Sequence, residues 1–77
     1  MKPLDMSLNK SHIGKLRIEL FGPSIAEYRG TVFVNDTYTA QKHVLSNTGR
    51  GYRAWVFRVH DASRMSRLTD KDLGFIQ

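Results

Sequence analysis

No cysteine occurs in the 77 residues, which excludes a disulfide framework, a thiolate zinc site and a cysteine nucleophile. No apolar run approaches the roughly 20 residues that cross a bilayer. Nor does an apolar stretch of signal-peptide kind follow Lys2. The expectation is a soluble, cytoplasmic protein without membrane contact. Repeats and low-complexity segments are also missing. Histidine is present only as His12, His43 and His60, on what read as an arm, a helix and a strand end, with no ligand spacing among them. No serine sits in a nucleophile-elbow sequence. The one close pair of acids, Asp70 and Asp72, is accounted for by helix capping. These absences point away from an enzyme, a metal site or a cofactor. A chain this short forms one small domain and buries about 60–65% of the surface its unfolded form exposes.

What the chain has in surplus is positive charge. Twelve Lys and Arg stand against seven Asp and Glu, a net +5. That balance draws a protein toward polyanions or acidic protein surfaces. Seven of the twelve are arginine, the side chain suited to bidentate and stacking contacts.

Periodicity supplies the fold. Residues 1–11 lack it and read as a flexible arm, leaving residues 12–77 as the domain. In IGKLRIELF, Leu16, Ile18 and Leu20 alternate with Lys15, Arg17 and Glu19, the pattern of a half-buried strand. A Gly-Pro turn and a short loop follow. YRGTVFVND is a second strand with Val32 and Val34 inward, and Gly30 within it marks a bulge or a close backbone approach. The spacing predicts that these two strands pair antiparallel. DTYTAQKHVLSNTG predicts a short helix over about 39–46, capped by Thr37 or Thr39 and stopped by Gly49. A third strand covers 52–60. After it, Asp61 or Ser63 caps a turn holding Met65 and Leu68, and Thr69-Asp70-Lys71-Asp72 starts a last helical turn. The predicted fold is α+β: a small, mainly antiparallel three-stranded sheet in the order β-β-α-β, with one short helix on one face and a short helical C-terminal segment.

The third strand is hard to orient, because both of its alternating sets are apolar. Size assigns Trp55, Phe57 and Val59 to the helix-covered face with Leu16, Ile18, Leu20, Val32 and Val34. The opposite face then gathers Lys15, Arg17, Phe21, Arg29, Phe33, Tyr52, Val56, Arg58 and His60. Either a terminal segment folds over that second face, or it is a contact surface on which aromatic rings stack on single-stranded bases while cations meet phosphates. The loop Asn47-Thr48-Gly49-Arg50-Gly51 adds a guanidinium, and its backbone N–H groups could cradle a phosphate, though its spacing is not that of a Walker loop. The candidate binding residues are Lys15, Arg17, Arg29, Phe33, Arg50, Tyr52 and Arg58.

This small, cysteine-free β–β–α–β plan is similar, over residues 13–60, to small phage-encoded proteins that inhibit host machinery, among them anti-CRISPR proteins and polymerase inhibitors. The resemblance lies in architecture and carries over no site residue. It implies a viral inhibitor that occludes a host nucleic-acid enzyme by protein–protein contact. The residues themselves favour a non-enzymatic binding module whose partner is RNA, single-stranded DNA or a nucleoprotein complex. The sequence leaves open whether two copies pair.

Overall fold

The computed structural model describes residues 12–24 and 26–76; the arm expected over 1–11 lies outside them. Among the described residues the chain forms β1 (Leu16–Phe21), β2 (Tyr28–Val34), α1 (Thr37–Thr48), β3 (Arg53–Asp61) and β4 (Arg64–Arg67). The strands make one antiparallel sheet in the order β2-β1-β3-β4. The class is α+β as expected, but the sheet has a fourth strand. β4 occupies the stretch expected to be a capped turn around Met65.

β1 and β2 pair as their alternation demands, with Leu16 opposite Val34 and Ile18 opposite Val32. The register shifts between Leu20 and Phe21, where Gly30 has φ +135°. A left-handed backbone there is open to glycine and strained for other residues, so Gly30 makes the bulge its position suggested. β2 and β3 then run parallel to each other on either side of β1, joined through α1.

The helix is longer than its periodicity indicated, and the residue that starts it is Asp36. Its carboxylate accepts from the backbone N–H of Thr39 at 2.8 Å and from the Thr39 hydroxyl at 2.9 Å. The Thr39 N–H, above all, holds Asp36 below its usual carboxylate value. A helix of this length is marginal alone. It is fixed by packing on β3 and β1, where Ala40 is fully buried.

The core between helix and sheet consists of Leu16, Ile18, Val34, Ala40, Val56 and Leu73, with Leu20, Val32, Val44, Ala54, Leu68 and Phe75 packed against it. This corrects the reading of β3. Ile18 pairs with Val56 and Leu20 with Ala54, so it is the smaller set of β3 that faces the helix. Trp55, Phe57 and Val59 lie on the opposite face. The physical reason is space: the helix meets the sheet through the small Ala40 and Val44, and Ala54 and Val56 fill the narrow gap where a tryptophan would not.

The hairpin into β4 is set by Asp61. Its carboxylate accepts from Ser63 N–H at 2.8 Å, from the Ser63 hydroxyl at 3.0 Å and from Arg64 Nε at 2.7 Å. Led by the Ser63 N–H, these bonds hold the Asp61 pKa down to about 2. The chain thus turns tightly at 61–64 and returns as a strand, an Asx-type turn that the sequence scan took for a cap.

Beyond β4, the turn beginning at Thr69 has the expected reciprocal bonds. Thr69 N–H donates to Asp72 Oδ2 at 3.0 Å, and Asp72 N–H donates to Thr69 Oγ1 at 3.1 Å. One turn forms, closed by Leu73 N–H to Thr69 O at 3.0 Å. It is tied to α1 by Gln41, whose amide donates to the Leu73 carbonyl. The C-terminal segment therefore completes the helix-side core and does not lie on the second face.

Candidate nucleic-acid interface

The face of the sheet away from α1 is built in rows across the strands. Phe33, Arg17, Phe57 and Arg67 form one row; Thr31, Glu19 and Trp55 form the next; Tyr28, Phe21 and Arg53 form a third. Towards the other end Val59 lies opposite Met65. At ordinary strand spacing the platform is about 14 Å from β2 to β4. Among the described residues its cover is the turn at 12–15. There Gly14 N–H donates to Val59 O at 3.0 Å, and the His12 ring stacks on Phe33 at 3.6 Å between centroids.

Trp55 sits near the middle, half-buried. Phe21 flanks it, tilted, at 5.4 Å, and Tyr28 meets Phe21 edge-on at 5.8 Å. The Arg67 guanidinium lies over the indole at 4.6 Å. These neighbours supply the cover that a core would otherwise give, which is how a tryptophan stands on an outer face of so small a domain. Arg53 and Arg67 are exposed. Glu19, the carboxylate within these rows, is already neutralised: Arg17 Nε donates to its Oε2 at 3.1 Å. Among the described residues the platform thus presents the partly exposed rings of Trp55, Phe57 and Tyr28 with the exposed, unpaired Arg53 and Arg67 beside them.

The residues expected to form one site are divided by the structure. Phe33 and Arg17 are on the platform, but Arg17 is buried to 7% exposure, ion-paired with Glu19 and 5.8 Å from the Phe33 ring. It organises the surface and is not a free cation. Lys15 is half-buried just before β1, at the Val59 end. Arg58 lies opposite Leu16 and so belongs to the helix side, where its charge is among those that lower the Asp72 pKa, after the Thr69 hydrogen bonds. Tyr52 precedes β3, and the Arg29 guanidinium covers its ring at 4.7 Å. The alternation of β3 puts Tyr52 on the helix side with Ala54.

The loop after α1 has its backbone N–H groups turned back on the protein. They are taken by carbonyls of the last turn of α1: Gly49 to Leu45 O at 2.9 Å, Arg50 and Tyr52 to Asn47 O at 3.1 and 2.9 Å, and Gly51 to Thr48 O at 3.0 Å. Gly51, at φ +81°, makes the turn possible. The exposed Arg50 guanidinium remains, placed where a cation complements the negative end of a helix.

Arg53, Arg67 and Tyr28 have no place in the site expected from sequence, and Trp55 and Phe57 are there assigned to the core. The available signal was that β3 offered two apolar sets of different size, and only the smaller fits under a helix.

Comparison of the chain with protein-family models, with curated proteins and with solved structures found no match. Among the described residues, no group of His, Cys, Asp or Glu is placed to hold a metal ion, and no helix is long and apolar enough to cross a membrane.

Proposed function

We propose that the protein is a non-enzymatic module that binds single-stranded nucleic acid, RNA or DNA, on the sheet face away from α1. The observation that supports this most strongly is the juxtaposition of Trp55 with Arg67 and Arg53 beside Phe21, Tyr28 and Phe57. Stacking needs a π-face and phosphates need cations near it; here the Arg67 guanidinium, which covers the indole in the free protein, would swing off it to meet a phosphate as a base takes its place. A duplex, whose bases are already stacked, gains nothing from such a platform. Two or three bases fit across it.

The charge-reversed variant Arg53→Glu/Arg67→Glu tests this reading. Both side chains are exposed and only the Arg67 contact with the indole is lost, so the melting temperature is expected to stay within about 5 °C of wild type. Binding of a fluorescent oligonucleotide is expected to weaken by about 100-fold or more at low salt, because two phosphate contacts become repulsions. A well-folded variant that binds like wild type removes the platform from the account.

The inhibitor reading rests on a different surface. Tyr38 and Leu45, two turns apart along α1, are 65% and 59% exposed, with Lys42 Nζ over the Tyr38 ring at 4.5 Å. An apolar outer stripe of this kind suits a protein partner. Loss of biological activity on Tyr38→Ser/Leu45→Ser, with oligonucleotide binding unchanged, would favour it.

A further inference from the structure

The two edges of the sheet are built differently. β4 is four residues long, Arg-Met-Ser-Arg, with an exposed arginine at each end, the usual guard against strand addition. β2 has seven residues, and from Gly30 to Val34 it reads Gly-Thr-Val-Phe-Val without a charge or a proline. That stretch is regularly extended, since Thr31 to Val34 keep unbroken register with Glu19 to Leu16. The helix packs on β3 and β1, so Val32 on the helix side of this edge is only half-buried, as is Phe33 on the platform side. Among the described residues, β2 presents an unpaired row of backbone N–H and C=O groups flanked by β-branched and aromatic side chains.

We infer that β2 pairs antiparallel with β2 of a second copy, joining two sheets into one of eight strands. The strand is self-complementary about Val32. A two-fold axis there sets Val32 against itself on the helix side and Thr31 against Phe33 on the platform side. The same register carries Arg29 towards Asn35 and Asp36 of the second copy, so a protein of net charge +5 opposes no like charges across this edge. The two platforms become continuous through Phe33 and Thr31. The inference rests on the edge and stands whether or not the platform binds nucleic acid.

Pairing through about five residues buries a small area, so the association is weak and concentration-dependent. Sedimentation of the full chain between roughly 5 and 500 µM, a span suited to micromolar dissociation constants, is expected to move from monomer to dimer. Thr31→Lys/Phe33→Lys places lysines directly opposite each other across the axis and is expected to leave a folded monomer throughout, with folding checked by circular dichroism. Register is tested separately. Because the chain has no cysteine, Val32→Cys is expected to give a disulfide-linked dimer on mild oxidation, whereas Ser66→Cys on β4 is not. A wild-type chain that stays monomeric to the highest concentration, a dimer that survives the double lysine change, or equal cross-linking from both cysteine positions overturns the inference.

Discussion

Ile18→Ala is expected to lower the free energy of unfolding by roughly 2–5 kcal/mol, the range for a large-to-small change at a buried site. Ile18 is fully buried at the centre of β1, between Val32 and Val56 on the flanking strands. Neither neighbour can move into the space, because both are pinned by strand pairing, and Ala40 on the helix above has no side chain to extend into it. A domain of this size has only about 5 kcal/mol in reserve, so the variant is expected to be substantially unfolded at 37 °C. Urea titration measures it: the midpoint should fall sharply while the slope stays the same. A loss below about 1 kcal/mol would mean that the core is not centred where the register places it.

Trp55→Ala has its largest expected effect on binding. Although Trp55 is the bulkiest side chain in the protein, it lies on the platform and stays partly exposed, where Ile18 is fully buried. Its removal exposes Phe21 and releases Arg67, for a stability loss of roughly 1–2 kcal/mol, smaller than that of Ile18→Ala. Loss of one stacking partner costs about 1–3 kcal/mol of binding, or about 5- to 150-fold in affinity for a single-stranded oligonucleotide. Trp55→Phe keeps a smaller ring at the same place and is expected to recover much of that loss. The two variants distinguish stacking from mere support of the fold: if Trp55→Ala unfolds the protein more readily than Ile18→Ala, the indole is a core residue after all. If both Trp55 variants bind as tightly as wild type, no base stacks there.

The contrast between these two positions shows where the sequence was legible. β1 declared itself because its two alternating sets differ in polarity, so its buried face needed no further information. β2 and the helix could be placed against it, and of the two readings of Gly30, a bulge or a close backbone approach, the bulge is the one the register shows. β3 has no such asymmetry. Its inward and outward sets are both apolar, and choosing by bulk reversed it, because helix–sheet packing selects side chains by the space available. That reversal carried Arg58 and Tyr52 to the wrong side and hid Arg53 and Trp55. β4 gave no periodic signal, since a four-residue edge strand buries too little to show one. Its existence depends on the Asp61 turn and on pairing with β3. The reciprocal Thr69–Asp72 bonds were readable because they depend on neighbours three residues apart and on nothing distant. Arg17 shows the opposite case: alternation marked it as a surface cation, and its burial beside Phe33 of the adjacent strand appears only in the folded sheet.

The placement of Trp55 also provides the most direct measurement of the proposed function. It is the only tryptophan in the chain, so its emission reports on the platform without any label. Titration with single-stranded oligonucleotides of about 12 nucleotides, within the usual span of such sites, is expected to quench that emission. The midpoint should rise steeply between about 50 and 200 mM salt. With two to four phosphates engaged, the slope of log affinity against log salt is expected near −1.5 to −3, about 0.7 per phosphate on a single strand. A matched duplex should quench far less at equal concentration. Emission that does not change with any single strand would contradict binding on this face, as would quenching that is indifferent to salt.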